Sequence, residues 1–277
     1  MNETNLVDYS DYRAFLKDYY VKQKKENPGF SYRSFAMRAR LSSPNYLKLV
    51  IDGDRRITDK TLASFVRGLR LSKVETEYFK NLVLFQESQD AETKAMHLRE
   101  LARIKTYWGF EEKRMDRDRM ELLRGWHHWV IREMVVLDDF SSDPEWIVKK
   151  LRYKVTVTEA RDALAVLERL EFVRKSPEGK YSVSEPLVST GDEVSSILLR
   201  NLHCQFFQFA IQAILRDNRE EREMGGVMLA ISKNRLPEIK AFIREFRLEF
   251  NKRFSQLEGN DAVYNLGVAF FALTKEG

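Results

Sequence analysis

The amino-acid sequence predicts a mainly α-helical protein of the α+β class, and three observations lead to that prediction. Apolar residues recur at spacings of three and four through most of the chain, which is the period of helices that pack through one face. Helix-start signals, in which Ser, Thr or Asp precedes Pro or Glu, stand at the head of several of these segments. Runs typical of strands are few and short. We therefore expect an N-terminal five-helix bundle, a middle region of helices with one β-hairpin, and a small C-terminal β-α-β unit.

Composition is that of a soluble protein. The 277 residues suffice for two or three domains, and 43% hydrophobic with 32% charged residues is an ordinary balance. The sequence has no apolar run of about 18 residues or more, the length that spans a membrane. Residues 1–12 lack the basic and apolar regions of a signal peptide. The single cysteine, Cys204, excludes an intramolecular disulfide framework and a four-cysteine zinc site. We expect a cytoplasmic protein.

Local signals mark five helices within about 80 residues at the N-terminus. The first is expected over residues 11–26, where a Pro-Gly pair follows and ends it. Thr58 can cap a fourth helix, and Ser72 with Glu75 fits a capping box at the start of a fifth. These helices together predict a compact all-α bundle.

The second and third helices of this bundle, within Ser31–Gly53, have the pattern of a helix-turn-helix. The first of the pair carries an apolar stripe, formed by Phe35, Ala36 and Ala39. The small side chain of Ala36 lets the second helix of the pair cross closely over the first. Ser43–Pro44 marks the start of the second helix, on which Tyr46 and Leu49 are expected to face inward. The second helix of such a motif normally enters the major groove of DNA.

The order of these helices resembles the lambda-repressor-like class of DNA-binding domain over roughly residues 10–85. The resemblance rests on Ala36 at the crossing, Leu41 in the turn, and Tyr46 and Leu49 on the second helix. It implies a DNA-binding domain of this fold. Arg40 stands where such motifs usually have a glycine with positive φ, and a non-glycine residue there costs about 1 kcal/mol or requires a different turn.

Positive charge is concentrated on the same stretch. Between Lys24 and Lys73 the chain has 12 Lys/Arg against 4 Asp/Glu, whereas the residues after 85 have 31 against 32. A basic segment of this kind is typical of a surface that faces phosphates, although a basic solvated face without a partner would have the same composition.

Individual residues follow from that interpretation. The predicted base contacts are Ser43, Asn45 and Lys48, since Asn bonds adenine bidentately and Lys donates to guanine. The predicted phosphate contacts are Lys24, Lys25, Arg55, Arg56 and Lys60. Ser43 could instead serve only as a helix cap and Asn45 only as a solvated residue of the first turn. The apolar residues of the second helix offer another alternative, because exposure of Leu47, Val50 and Ile51 would favour a protein partner over DNA.

Residues 88–115 are expected to form a helical connector, and residues 116–190 a separate middle domain. Three helices followed by two short strands around the Pro177–Gly179 turn resemble a winged helix-turn-helix. The acidic residues Glu159 and Asp162 lie on the third of these helices, where they would repel phosphate. We therefore favour packing or dimerisation of this winged-helix-like domain over DNA reading, which stays the alternative.

Residues 191–277 predict a C-terminal α+β domain that dimerises or senses a signal. A long helix is expected at its start, followed by an apolar strand at Val227–Ile231, a helix that opens at Pro237, and a final strand at Ala262–Leu273. Two strands are too few to be stable alone. They are expected to join the strands of the hairpin, another pair of strands, or a partner subunit.

The whole chain also resembles a bacterial family of paralogous regulators, first grouped from Fibrobacter and also found in predatory proteobacteria. The residues that carry the match are spread over nearly the full length: Asp11–Arg13, Ser42–Leu47, Tyr78–Phe79, Trp126–His127, Ile131–Glu133, Leu202–His203 and Phe270–Thr274. The resemblance implies an N-terminal lambda-repressor-like helix-turn-helix, a C-terminal domain of unknown function, and a role in transcription without an assigned ligand.

Motifs of enzymes were not found: the sequence has no phosphate-binding Gly-rich loop, G-x-S-x-G, H-E-x-x-H or C-x-x-C. We expect no catalytic activity, no metal and no cofactor. The predicted function is that of a transcriptional regulator that binds double-stranded DNA as a homodimer, on half-sites about 34 Å apart. The alternative is a signalling adaptor that uses the helix-turn-helix as a protein-binding surface. A small-molecule effector or protein partner of the C-terminal region is compatible with both.

Overall fold

A computed structural model describes residues 5–108, 122–123, 125–184, 197–255 and 259–275. This part of the chain is mainly helical and has one small two-stranded sheet, which confirms the predicted fold class. The first six helices are α1 (Tyr12–Glu26), α2 (Tyr32–Ala39), α3 (Tyr46–Ile51), α4 (Asp59–Leu69), α5 (Lys73–Glu87) and α6 (Ala91–Trp108). The later elements are α7 (Trp126–Met134), α8 (Pro144–Lys150), α9 (Val157–Arg169), β1 (Val173–Lys175), β2 (Tyr181–Val183), α10 (Ile197–Arg216) and α11 (Leu236–Phe254).

Packing divides the chain into two compact units. The N-terminal unit comprises residues 1–124 and 193–204, and the C-terminal unit comprises residues 125–192 and 205–277. Helix α10 contributes its first turns to the N-terminal unit and the rest to the C-terminal unit. The finer division into four domains stays a prediction.

The N-terminal unit begins with the five predicted helices, and the capping box predicted for Ser72 and Glu75 is confirmed. Asp11 accepts the Arg13 N–H at the start of α1 (2.7 Å). At α5, the Ser72 N–H donates to Glu75 (2.8 Å) while the Glu75 N–H donates back to the Ser72 hydroxyl (3.3 Å). Each cap satisfies backbone donors that have no partner within their helix.

Aromatic and aliphatic side chains fill the core of this unit. The largest fully buried ones are Tyr12, Phe35, Phe65, Tyr78 and Phe79. Helix α6 packs along α5 and adds Leu98, Leu101, Ala102 and Ile104 to the same core. Helix α6 and the first turn of α10, which adds Ile197 and Leu198, therefore share this core with the five predicted helices.

Helices α2 and α4 of this core approach each other closely. Gly68 of α4 is so near α2 that a Cβ on it would lie 2.7 Å from Phe35 Cζ and 2.8 Å from Ala39 Cβ. This contact is separate from the predicted crossing of α3 over α2 at Ala36, a residue that is buried. The structure shows that Gly68 and Ala39 are the small pair that permits the approach.

The C-terminal unit starts with three helices and a hairpin, in the order predicted for the winged-helix-like region. The hairpin pairs Val173 with Val183 and Lys175 with Tyr181 in antiparallel register, around a turn in which Gly179 has φ of 84°. Helix α7 begins only after Gly125, whose backbone is extended (φ −154°, ψ 149°). The apolar spacing of the sequence predicts one helix from Asp116 through about Asp138, but Gly125 interrupts it; residues 116–121 and 124 lie outside the described part.

The predicted C-terminal β-α-β unit is only partly formed. Helix α11 confirms its central helix. The flanking segments, residues 222–232 and 259–272, form neither helix nor paired strand, and β1 pairs only with β2 within the described residues. The two expected strands are thus absent from the single chain. The physical reason is that neither segment meets a strand edge with which its backbone can pair.

Candidate nucleic-acid interface

Helix α2 ends in a left-handed turn that confirms the unusual role of Arg40. Arg40 has φ of 55° and ψ of 42°, and the Leu41 N–H donates to the Ala36 carbonyl over 2.9 Å. This bond closes a Schellman motif. The residue with the left-handed conformation in such a motif, here Arg40, is usually glycine. The direction of the chain between α2 and α3 is therefore set by an arginine in a conformation that glycine adopts more easily.

Helix α3 begins two residues later than the sequence suggested. Residues 44 and 45 form a turn in which the Tyr46 N–H donates to the Ser43 carbonyl (3.2 Å), and Asn45 occupies the N-cap position. The Asn45 side chain makes no capping hydrogen bond and is exposed. The prediction that Ser43 caps this helix was therefore wrong. The amide of Asn45 is left available to a partner in solution.

The inner face of α3 also differs from the expectation. Leu47 and Val50 are completely buried, whereas Tyr46 and Leu49, the predicted inner residues, are half-buried. Tyr46 packs at the boundary of the core. Its ring lies 5.9 Å from that of Phe65, and its hydroxyl donates to a backbone carbonyl of the following loop. Because its hydroxyl bonds to this loop, Tyr46 lies on the flank of the helix and not on its inner face.

Burial of Leu47 and Val50 removes the premise of the protein-binding alternative. That alternative required these side chains and Ile51 to be exposed, but two of the three are buried and Ile51 is half-buried. The outer side of α3 instead presents Asn45 and Lys48, both exposed, with half-buried Ser43 just before the turn. The structure brings the three predicted base contacts together at the start of one helix.

Arg13 of α1 holds the other end of α3. Its guanidinium donates to the carbonyl oxygen of Val50 (2.7 Å) and to that of Arg55 (2.8 Å), and its second amino group donates to Glu87 of α5 (2.9 Å). The Tyr12 hydroxyl donates to the same Glu87 oxygen (2.5 Å). Carbonyls at the C-terminal end of a helix lack intrahelical donors, and a cation is the favoured partner there.

The positioning role of Arg13 was not recognised from the sequence alone. Its partners lie 37, 42 and 74 residues away along the chain. The only available signal was the Asp11–Arg13 run within the family resemblance.

Exposed cations continue from α3 into the next loop and helix. Lys48, Arg55, Arg56 and Lys60 are exposed, and none of these side chains forms an ion pair within the described part of the chain. Three exposed carboxylates, Asp52, Asp54 and Asp59, are interspersed among them and reduce the net charge of this strip. The strip therefore presents unpaired charge of the sign that binds phosphate.

Two of the predicted phosphate contacts lie apart from this strip. Lys24 and Lys25 are on the last turn of α1, on the order of 18 Å along the helix axis from Arg13, since a helix rises 1.5 Å per residue. The ammonium of Lys24 donates to the carbonyl oxygen of Pro28 over 2.6 Å. The structure thus groups Arg55, Arg56 and Lys60 with α3. It does not bring Lys24 and Lys25 to the end of α3 that Arg13 contacts.

A separate cavity of about 420 Å³ lies within the C-terminal unit. Aromatic side chains dominate one wall, where Tyr153 stacks on Phe209 (3.8 Å between ring centroids) and Trp126 meets Phe209 edge-on (4.9 Å). Arg152 and the buried Asp217 face each other through two hydrogen bonds of 2.9 and 2.5 Å, and this pairing raises the pKa of Arg152. Size and lining are those of a site for a small, largely apolar molecule.

Metal binding and membrane insertion find no support among the described residues. No cluster of three or more His, Cys, Asp or Glu side chains within them is arranged to hold a metal ion. None of the described helices is long and apolar enough to cross a membrane.

The geometry above defines a mainly helical protein with an N-terminal bundle that exposes a polar helix face and a C-terminal unit that holds an apolar cavity. The chain belongs to the family described as Domain of unknown function (DUF4423), whose match covers residues 110–273, more than half of the sequence. This finding confirms the expected C-terminal domain of unknown function. No curated protein and no solved structure matches the chain. Membership of the paralogous bacterial regulators stays a prediction.

Proposed function

We propose that this protein is a transcriptional regulator whose N-terminal unit binds double-stranded DNA through a helix-turn-helix formed by α2 and α3, and that it acts as a homodimer. One observation carries the proposal: α3 buries its apolar side and exposes Asn45 and Lys48, directly before a strip of cations without ion pairs. Amide and ammonium groups on an exposed helix face are the types of group that read base edges.

In the proposed complex, each part of the interface has a separate task. Asn45 and Lys48 contact bases, with Ser43 beside them, and Arg55, Arg56 and Lys60 contact phosphates. Phosphate contacts set affinity and register without reading sequence, whereas base contacts set sequence preference. Arg13 contacts no DNA in this scheme and fixes the C-terminal end of α3 on the bundle.

A salt titration and a sequence selection, both with the intact chain, test the proposal. Affinity for a pool of genomic DNA fragments is measured by fluorescence anisotropy at 50 to 200 mM salt, and the preferred sequences are recovered by selection. We expect binding at 50 mM salt and a linear fall of log K with log salt. Absence of binding at 50 mM salt, or an affinity that does not change with salt, would reject the DNA-binding function.

Base reading is tested separately with Asn45→Ala and Lys48→Ala. Each variant is expected to lose about 1–3 kcal/mol of discrimination at one position of the selected sequence and to keep the salt dependence almost unchanged. An unchanged selected sequence would reject these two residues as base contacts and leave DNA binding itself standing.

The cavity of the C-terminal unit supports effector binding as a second part of the function. Trp126 and Trp129 both line it, so a bound molecule is expected to change tryptophan fluorescence. Small aromatic compounds are suitable probes, because the walls are aromatic and apolar. The variant Ala213→Phe fills the cavity and should abolish the response. A response that survives in this variant would place the binding site elsewhere.

A further inference from the structure

The last 50 or so residues of the chain leave an unusual amount of apolar surface uncovered. None of the residues of α11 is buried. Four phenylalanines follow one another along it at every fourth position, and all are exposed: Phe242 (71%), Phe246 (48%), Phe250 (39%) and Phe254 (49%). Side chains four apart lie on the same side of a helix, so they form one continuous apolar stripe.

The segments on either side of α11 are apolar and uncovered as well. Val227, Met228 and Leu229 are consecutive and exposed by 81%, 87% and 65%. In the second segment, Phe270 and Phe271 are exposed by 43% and 71%. Neighbouring side chains of an extended chain point to opposite sides, so uninterrupted apolar runs of this kind are typical of strands that are covered on both faces.

Neither segment pairs as a β-strand within the described part of the chain, and the second is joined by a backbone hydrogen bond only at its start, where the Asp138 N–H donates to the Asn260 carbonyl (2.9 Å). The sheet formed by β1 and β2 contains no further strand. The exposed large apolar side chains between residues 205 and 275 present on the order of 2,000 Å² in total, given 150–250 Å² for a fully exposed aromatic ring. Monomeric soluble proteins seldom expose contiguous apolar patches above about 600 Å².

We propose that residues 222–275 form the homodimer interface, in which the two segments of one copy pair as β-strands with those of a second copy. This arrangement gives an intermolecular sheet with both α11 helices packed on it. The proposal specifies the dimer that the proposed function requires, but it does not depend on DNA binding.

A second copy is the partner that fits these observations. One chain supplies two strand-forming segments and one amphipathic helix, and within the described residues neither segment pairs with an edge of the β1–β2 sheet. An identical copy provides the missing edges and helix at once, through a two-fold interface in which the same surface serves both sides. The uncovered area exceeds the roughly 800 Å² per partner of a standard interface and reaches the range of obligate dimers.

Molecular mass in solution provides the first test. Light scattering coupled to size exclusion, on full-length protein at micromolar concentration, should give twice 32.7 kDa. Phe246→Asp and Val227→Asp should each weaken dimerisation on the order of 100-fold, as expected for central interface residues. Val21→Asp is the matched control, since Val21 is 59% exposed on α1 and the dimer should survive its replacement. A monomeric wild-type chain, or a dimer that both substitutions leave intact, would overturn the proposal.

Cross-linking provides a second test that does not depend on how the aspartate variants fold. In a Cys204→Ser background the chain has no other cysteine, so a single new thiol reports on its neighbours. Three single-thiol variants are prepared: Val227→Cys, Leu266→Cys and the control Val21→Cys. Each is treated separately with a short bifunctional maleimide. Covalent dimers from the first two, but not from the control, support the interface. Equal yields from all three would contradict it.

The same samples separate this proposal from the DNA-binding function. A dimer that binds no DNA rejects the function and leaves the interface intact. A monomer that binds DNA with the expected salt dependence rejects the interface and leaves the DNA-binding function intact.

Discussion

Arg13 donates a hydrogen bond of 2.7 Å to the carbonyl oxygen of Val50, and through this bond the first helix of the bundle fixes the end of α3. The same guanidinium reaches the carbonyl of Arg55, at the start of the cationic strip. The orientation of the proposed DNA-reading helix therefore depends on one side chain that lies outside the helix-turn-helix. Glu87 and Tyr12 complete the network and keep the guanidinium in place.

Arg13→Ala is expected to destabilise the protein by about 2–3 kcal/mol. The substitution removes charge-assisted hydrogen bonds to two carbonyls and a partly buried ion pair with Glu87. Urea unfolding followed by circular dichroism measures the effect. Arg33→Ala, on the exposed side of α2, serves as the control and should change stability by less than about 0.5 kcal/mol. Equal effects of the two substitutions would contradict the positioning role.

Gly68→Ala tests the close approach of α2 and α4. The added methyl group would meet Phe35 at 2.7 Å and Ala39 at 2.8 Å, so the core must expand, at a cost of about 1–3 kcal/mol. The better helix propensity of alanine offsets up to about 1 kcal/mol of that cost. Gly29→Ala is the comparison, because its new Cβ would meet only the Asn27 side chain, at 3.2 Å. A Gly68→Ala variant as stable as the wild type would show that the helices are further apart than described.

Arg40→Gly is expected to stabilise the protein by about 0.5 kcal/mol. Relief of the left-handed strain is worth about 1–2 kcal/mol, and the greater freedom of glycine in the unfolded chain removes about 0.4–1 kcal/mol of it. Arg33→Gly gives the contrast, because that residue lies inside α2 and its replacement should cost about 1 kcal/mol. Thermal unfolding of both variants measures their change in stability relative to the wild type. Loss of stability in Arg40→Gly would mean that the arginine side chain contributes more than its backbone conformation costs.

Alkaline pH is expected to weaken the N-terminal unit through its buried phenols. Burial, followed by the hydrogen bond to Asp18, raises the pKa of Tyr9 to about 12. Burial and the bond to Glu87 also raise the pKa of Tyr12, and burial raises that of Tyr78. Tyrosines of the unfolded chain ionise near pH 10. The unfolded chain therefore releases protons at that pH, while the folded chain keeps them. The stabilisation is complete below about pH 10 and is lost as the pH rises from there towards 12.

Urea midpoints at pH 8 and pH 10.8, at one protein concentration, measure this loss. Tyr12→Phe should reduce the difference between the two midpoints, because it removes one of the buried phenols. Midpoints that do not change with pH would contradict the assignment of these phenols as buried and protonated.

Features with local causes could be predicted from the sequence. The capping box of α5 depends on residues within a few positions of each other, and it is confirmed. The resemblance to lambda-repressor-like motifs left two possibilities at Arg40, a strained left-handed residue or a different turn, and the structure shows the first.

Other features depend on contacts that the sequence order does not reveal. Helix α3 has only six residues, so apolar pairs at 46/49 and 47/50 fit its inward face equally well, and packing against the bundle decides between them. Arg13 finds its partners far along the chain. The two C-terminal segments have the composition of strands, but strand formation requires pairing, and in the described part of the chain neither segment pairs with an edge of the β1–β2 sheet.

The most direct test of the DNA-binding function is the salt dependence of affinity in Arg55→Ala/Arg56→Ala. Each phosphate contact contributes about 0.9 to the slope of log K against log salt, so the double variant should lower the magnitude of the slope by about 1.8. Removing two exposed lysines of the C-terminal unit, in Lys149→Ala/Lys154→Ala, should leave it unchanged. The same slope in the wild type and in the Arg55/Arg56 variant would contradict the proposed interface.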